Sequence, residues 1–393
     1  MPIDPSALGG PAQGEDAAAC ETTHVEGTIS PEPQPQDSSL LLADHTTLRL
    51  GGPARRVVVA TTEAELVEAV RAADQAGEPL LVLSGGSNLV IGDEGFAGTV
   101  VKVATRGVSA DVSDCGGAVV TVAAGEVWDD FVAHAIQNQW RGLEALSGIP
   151  GLVGSTPIQN VGAYGSDVSQ TIYRVRTYDR QTGELRTFTS GECQFSYRDS
   201  IFKQTRMPDG GPTGRYVVLD VTFQMLLGNL SAPIRYQELA NRLGVAVGER
   251  AEMEQVRQTV LGLRAGKGMV LDEADHDTWS AGSFFTNPVL SAQQADALPE
   301  GAPRFDAGPG RFKSSAAWLI DHAGFHKGFD VGGKASLSTK HTLALTNRGG
   351  ASTAELVELA TTVRDGVLRE FGVELVPEPV LVNCAIPAAG SLA

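Results

Sequence analysis

Between Ser147 and Gly165 the chain reads SGIPGLVGSTPIQNVGAYG, a stretch with five glycines, two prolines and no acidic or basic side chain. No regular helix or strand runs through such a segment. Pro150 and Pro157 lack an N–H, and the glycines hold no backbone conformation on their own. A long irregular segment inside a compact domain is usually functional. Its small residues let the backbone lie flat against a large planar ligand, and Gln159 and Asn160 add paired donors and acceptors. The rest of the chain must then supply a scaffold that holds this segment in place.

That scaffold reads as α+β. ARRVVVAT (Ala54–Thr61) is strand-like, and a helix should start at Thr62, where Thr62 and Glu65 form a capping-box pattern ahead of Leu66, Val67 and Val70. PLLVLS (Pro79–Ser84) is a second strand, which completes a βαβ unit and runs into GGSN (Gly85–Asn88). Further strands are expected at Thr99–Val103, Ala118–Ala124, Ile172–Asp179 and Arg215–Leu226, and a last one around Glu374–Val382. Helices are expected at Glu126–Gln139, Glu249–Arg264, Ser314–His322 and Ser352–Phe371, the last with a second capping box from Ser352 and Glu355. In LSGGSNL (Leu83–Leu89), Gly85 and Gly86 could turn successive N–H groups toward an anion. The segment is neither GxGxxG nor a Walker A loop, and taken alone it reads more readily as an ordinary turn.

The 393 residues suffice for two or three domains. With 30 Lys and Arg against 47 Asp and Glu, the net charge is −17, which argues against nucleic acid and anionic membrane as partners. Any site for a small anion must therefore show as a local concentration of basic residues. No apolar run is long enough to span a membrane and the N-terminus lacks the pattern of a signal peptide, so a cytoplasmic protein is expected. Cys20, Cys115, Cys193 and Cys384 are widely spaced and suggest neither a metal site nor a disulfide framework. Residues 1–40, rich in Gly, Pro, Ala, Ser and acids, read as a disordered arm.

Four segments recur in a telling order: IPGLVGSTPIQNVGAYG, YRDSIFK (Tyr197–Lys203), AGSFFTNP (Ala281–Pro288) and PEP (Pro377–Pro379). With TLRLGGPA (Thr47–Ala54) and LSGGSNL, they make residues 45 to 382 closely resemble the UDP-N-acetylenolpyruvoylglucosamine reductase family. The resemblance implies a two-subdomain FAD-binding domain of the vanillyl-alcohol-oxidase/p-cresol-methylhydroxylase type plus an α+β substrate-binding domain. On this basis residues 41–104 are the first FAD-binding subdomain and 105–265 the second, completed by 373–385. Residues 266–372 are the substrate domain and 386–393 a tail. The implied activity belongs to peptidoglycan precursor synthesis. NADPH reduces non-covalently bound FAD, and hydride passes from flavin N5 to UDP-N-acetylenolpyruvoylglucosamine to give UDP-N-acetylmuramate. A monomer is expected.

Hydride addition to an enol ether bearing a carboxylate builds negative charge on the alpha carbon and those oxygens, so donors or cations must face them. Arg198 can bind a carboxylate in two-point fashion, and the family pattern places an active-site arginine there. Glu378, stiffened between two prolines, joins it by resemblance. Ser283 lacks the GxSxG setting of a nucleophile; the family makes it the proton donor to the carbanion.

The resemblance assigns the flavin to Ser84, Gly85, Gly86, Ser87, Asn88 and Leu89 in one segment. In the other it assigns Gly151, Gly154, Ser155, Gln159, Asn160, Gly162, Ala163 and Tyr164. For substrate it implies Lys267, Asn287, Lys327 and His341, with Tyr236 on a loop that closes over the uridine diphosphate in the longer family subgroup. Two positions depart from the pattern: Thr286 stands where several members carry lysine, and Val380 where some have arginine. A flavin-dependent alcohol or sugar oxidase of the same fold class is the competing enzyme, and a non-catalytic flavin-binding protein is the other alternative.

Overall fold

The computed structural model describes residues 21–34, 38–208 and 210–389. Its largest sheet has seven strands, all antiparallel. The order is Thr23–Gly27, Val108–Ser113, Gly117–Ala123, Tyr216–Leu227, Ile172–Asp179 and Glu184–Thr189, and Trp140–Arg141 pairs with the end of Tyr216–Leu227. The Tyr216–Leu227 strand is buried almost throughout, as a central strand covered on both faces should be.

The βαβ unit is present. Ala54–Ala60 and Leu80–Leu83 both lie parallel to Phe96–Val103, which sits between them. The helix Glu63–Gln75 begins with the expected capping box and buries Leu66, Val70 and Ala73 against this sheet. Thr353–Phe371 likewise starts with the Ser352–Glu355 box, and it ends at Gly372, whose φ of +63° closes the helix in the left-handed region. The other expected helices appear as Trp128–Gln137, Met253–Ala265 and Ala316–His322. The C-terminal region also holds short hairpins that its sequence does not announce, among them Ala335–Leu337 with Leu345–Asn347.

Two expectations need correction. The arm read as disordered contains the edge strand Thr23–Gly27, paired residue for residue with Val108–Val112. Just beyond it, the Ser30 N–H donates to the buried Glu126 carboxylate at 2.8 Å, and the Val127 N–H donates to Ser30 Oγ at 2.7 Å. Local composition cannot register a sheet edge and a carboxylate supplied from eighty or more residues away. Residues 1–20 lie outside the described residues. In addition, Cys115 is joined in a disulfide, which the cysteine spacing did not suggest, whereas Cys193 and Cys384 are free.

The last strand is shorter than expected. Only Val380–Val382 forms a strand, parallel to Leu89–Ile91, and Pro377 makes an isolated bridge with Phe285. Pro377 and Pro379 have no N–H to give a ladder. The Glu378 N–H between them still donates to the Phe284 carbonyl at 2.8 Å, and the Thr286 N–H donates to the Val376 carbonyl at 3.0 Å. This pairing sets Glu378 beside the AGSFFTNP segment.

Candidate active site

Segments distant in sequence converge on one cavity of about 320 Å³. The loop after strand Leu80–Leu83 forms one wall, and its glycines are there for close approach. A Cβ on Gly86, at φ +61°, would lie 1.8 Å from the His45 carbonyl oxygen, and one on Gly85 would lie 2.7 Å from Gly151 Cα. The two glycine-rich segments are thus in direct backbone contact. The longer one is anchored beneath the cavity by the N–H groups of Val153 and Gly154, which donate to the Glu126 and Ala124 carbonyls at 2.9 Å each.

Asn88 ties three parts together. Its side-chain amide donates to Gln159 Oε1 at 3.0 Å and to the Glu378 carbonyl at 3.4 Å, and its own carbonyl accepts from the Val380 N–H at 2.9 Å. The glycine loops and the C-terminal strand are in this way locked around the same space.

Ser283, Arg198 and Glu378 all line the cavity. Ser283 is partly buried, and among the described residues nothing hydrogen-bonds to its hydroxyl. Arg198 sits at φ +56° in a tight turn closed by Ser196 and Asp199, an uncommon conformation for a bulky residue and one that clusters at functional sites. Its Nε lies 3.3 Å from Glu378 Oε1, an ion pair without the alignment of a hydrogen bond. Lys203 donates to the Arg198 carbonyl at 2.8 Å and so steadies that turn. Burial pushes the Glu378 carboxyl above the usual range for a glutamate, against the opposing pull of Arg198 and Lys203.

The basic concentration required of so acidic a chain is here. Arg198, Lys203, Arg206 and Arg264 line the cavity, with Glu378 as the only acid among the described lining residues. A dinucleotide also fits the walls on other grounds. Ser84 Oγ is buried at the cavity with no hydrogen-bond partner, the state of a donor that awaits a ligand. Apolar side chains such as Leu81, Val103, Trp128 and Val218 supply a surface for a flat ring system.

The FAD-binding-domain profile matches residues 54–189, and the profile of the UDP-N-acetylenolpyruvoylglucosamine reductase C-terminal domain matches residues 273–382. A UDP-N-acetylenolpyruvoylglucosamine reductase of Cutibacterium acnes is 60% identical over 382 residues, 96% of this chain and 98% of the relative. The chain belongs to the UDP-N-acetylenolpyruvoylglucosamine reductase family. The Salinispora arenicola reductase is 54% identical over 358 residues, covering 89% of this chain and 96% of the relative. A solved reductase from Thermus caldophilus shares the fold, with a TM-score of 0.56 and 24% identity over 92% of this chain and 99% of that one. The chain is therefore an FAD-domain oxidoreductase, and its fold is the α+β architecture expected.

Against that family frame, the cofactor residues divide. Ser84, Gly85, Gly86, Ser87, Asn88, Leu89, Gly154, Ser155, Gln159 and Gly162 line the cavity. Gly151 stands behind Gly85, and Ala163 lies in a two-residue hairpin with Ser166. Asn160 is not at the cavity wall. Its amide donates to the Ser196 carbonyl at 3.0 Å and its Oδ1 accepts from the Ser169 N–H at 3.2 Å, so its polar atoms hold the loop.

Tyr164 joins a second cluster instead. Its ring meets Tyr236 edge-on at 5.6 Å, with Lys267 Nζ 5.7 Å from its centroid. Lys267 pairs with Glu238 at 2.7 Å. Burial, with Lys267 and Lys327 nearby, lowers the His341 pKa to about 4. Four of the five residues assigned to substrate therefore share one neighbourhood beside the cavity. Asn287 does not line the cavity, and its Oδ1 accepts the Ala316 N–H at 2.9 Å at the start of a helix. Lys203, Arg206 and Arg264 were not picked out from the sequence. The first lies in YRDSIFK and the last opens RAGKG (Arg264–Gly268), but nothing in those strings tells which cation turns inward.

Proposed function

We propose that the chain reduces UDP-N-acetylenolpyruvoylglucosamine to UDP-N-acetylmuramate, with NADPH as reductant and non-covalently held FAD. The observation that carries this is the meeting of Ser283, Arg198 and Glu378 at one basic-lined cavity, with Arg198 and Glu378 paired at 3.3 Å. FAD, when bound, supplies the hydride that adds to the enolpyruvyl double bond. The Gly85–Gly86 and Gly151–Gly162 segments would hold it, and the unpartnered Ser84 Oγ would offer it a hydrogen bond. Arg198 holds the substrate carboxylate, with Glu378 beside it, its carboxyl pushed toward the protonated form by burial against the pull of Arg198 and Lys203. Together they stabilise the charge that builds on those oxygens. Ser283 Oγ then gives its proton to the alpha carbon. Phe284 and Phe285, fully buried behind it, help to exclude water from that hydroxyl. Tyr236, Lys267, Lys327 and His341 take the uridine diphosphate, while Asn287, whose Oδ1 holds the Ala316 N–H, steadies the segment that carries Ser283.

In this reading residues 266–372 form the substrate domain, and the protein acts as a cytoplasmic monomer in peptidoglycan synthesis, hence in cell-wall growth, shape and division. No helix among the described residues is long and apolar enough to cross a membrane. The test is NADPH oxidation by flavin-loaded protein with and without UDP-N-acetylenolpyruvoylglucosamine. Oxidation should require that compound, and flavin-loaded protein that leaves NADPH unoxidised in its presence defeats the reading.

A further inference from the structure

Lys267, Lys327 and His341 come from three separate loops, yet they stand close enough for both lysines to act on the His341 pKa. Two of the three are cations of like sign, which repel rather than gather. Something other than their own charge must hold these loops together before an anion arrives.

Asp277 is placed to do so. It lies in the short turn of 3-10 helix His276–Thr278 and is buried, 4% exposed. Its Oδ1 accepts from the Thr339 N–H at 2.8 Å and from Arg348 Nη1 at 2.7 Å, and its Oδ2 accepts from the Thr339 hydroxyl at 2.6 Å. Ser338 adds a second hydroxyl contact to the carboxylate. Ser338 Oγ in turn accepts from the N–H groups of Lys340 and His341 at 3.0 and 3.2 Å. The loop that carries His341 is thus tied to Asp277 through both side chains and backbone.

The two lysine loops meet the same point. The Gly328 N–H, next to Lys327, donates to the Ser338 carbonyl at 3.3 Å. Gly268, next to Lys267, has a φ of +66°, and a Cβ there would lie 2.9 Å from the Asp277 carbonyl oxygen. Burial opposes ionisation of Asp277, but the Thr339 and Ser338 contacts and the Arg348 charge hold its carboxyl below the usual aspartate range. It is a carboxylate at neutral pH, an acceptor only, with lone pairs enough for all of these donors. Arg348 alone would pair the buried charge. The further donors from residues 338 and 339 set the loop.

We propose that Asp277 is a positioning residue that holds the loops of Lys267, Lys327 and His341 as one preformed site for the uridine diphosphate end of the substrate. The inference rests on the substrate reading above. Asp277 is not among the described residues that line the cavity, and it acts through those loops. A loop already in place spares the ligand the cost of ordering it. Without Asp277 the apparent affinity falls with the fraction of molecules whose loop is in place.

Full-length, flavin-loaded wild type, Asp277→Asn, Thr339→Val and Arg348→Met are compared by calorimetric titration with uridine diphosphate, by steady-state kinetics and by urea unfolding. In Asp277→Asn the affinity for uridine diphosphate should fall at least about tenfold, as hydrogen bonds to a charged group are lost. KM for the enolpyruvyl compound should rise in parallel, while kcat and flavin content change by less than about threefold. Thr339→Val, at an exposed position, should weaken binding in the same direction, and the double variant should lose less than the two losses combined. Arg348→Met breaks the ion pair but keeps the Thr339 contacts, so it should cost stability and leave the affinity within about twofold. Unchanged affinity in folded Asp277→Asn overturns the proposal. So does an equal loss of affinity in Arg348→Met, which would make Asp277 only a structural ion-pair partner. If Asp277→Asn fails to fold, Thr339→Val and Arg348→Met decide instead, and equal affinities in those two overturn the proposal. Failure of the substrate reading shows separately, as wild type that binds no uridine diphosphate, and it defeats this inference as well.

Discussion

Gly86→Ala tests whether the short glycine loop is built for backbone approach at the flavin cavity. At φ +61° an alanine costs about 1–2 kcal/mol over glycine. Its Cβ would lie 1.8 Å from the His45 carbonyl oxygen, where ordinary contact begins near 3.4 Å, a shortfall of roughly 1.6 Å (3.4 − 1.8). Both atoms are rigidly attached to backbone, so no side-chain rotation relieves the overlap. His45 is itself tethered, its Nε2 2.8 Å from the Ser39 carbonyl, and the Thr47 N–H donates to the Gly86 carbonyl at 3.3 Å. Overpacking of this kind adds about 1–3 kcal/mol, for a total of about 2–5 kcal/mol.

Gly77 provides the control, because it has nearly the same φ, +64°, but nothing within 4 Å of a Cβ. Gly77→Ala should cost only the conformational part, about 1–2 kcal/mol. Urea unfolding gives the two stabilities, and flavin absorbance after gel filtration gives cofactor retention. Gly86→Ala should be the less stable and should lose flavin, whereas Gly77→Ala keeps it. Equal stability and equal flavin content in the two variants would refute the close-approach reasoning.

Ser283→Ala removes a hydroxyl that no described group hydrogen-bonds, so stability should barely change. Stopped-flow kinetics should show flavin reduction by NADPH nearly intact and the flavin-to-substrate step slowed by about 10²–10⁴-fold, and survival of both steps would remove the proton-donor role. His341, lowered from 6.5 to about 4, stays neutral in the fold while the unfolded chain takes up a proton. Its contribution is therefore complete above about pH 6.5 and is lost as pH falls toward 4, by at most on the order of 3 kcal/mol. Substrate-free urea titrations at pH 7 and pH 5 should show a smaller acid loss in His341→Gln, and identical losses would show that His341 is not held neutral.

Much of the frame was legible because it depends on neighbours in sequence. The capping boxes at Thr62 and Ser352 came through intact, since both partners lie within one turn. The strand-like runs Ala54–Thr61, Ile172–Asp179 and Arg215–Leu226 appear as strands Ala54–Ala60, Ile172–Asp179 and Tyr216–Leu227. The Thr23–Gly27 strand was missed because its partner and its anchoring carboxylate lie far along the chain. The close packing of LSGGSNL was not legible for the same reason. Its glycines answer to His45 and Gly151, which no local string can reveal.

Among site residues, the ordered motifs brought Ser283, Arg198 and Glu378 into view, and the fold brings all three to one cavity. They could not tell that Asn160 would give its polar atoms to loop backbone, or that Asn287 would hold the start of a helix. They also could not tell which of many cations turns inward. Sequence by itself determined the chemical inventory and the local elements, because residue type and short-range hydrogen bonds are written in it. The tertiary structure alone decided burial and pairing. The same arginine is a solvated surface charge or a buried unpaired cation according to what packs over it, and for Arg264 that depends on Gly148 and Met269 rather than on any motif.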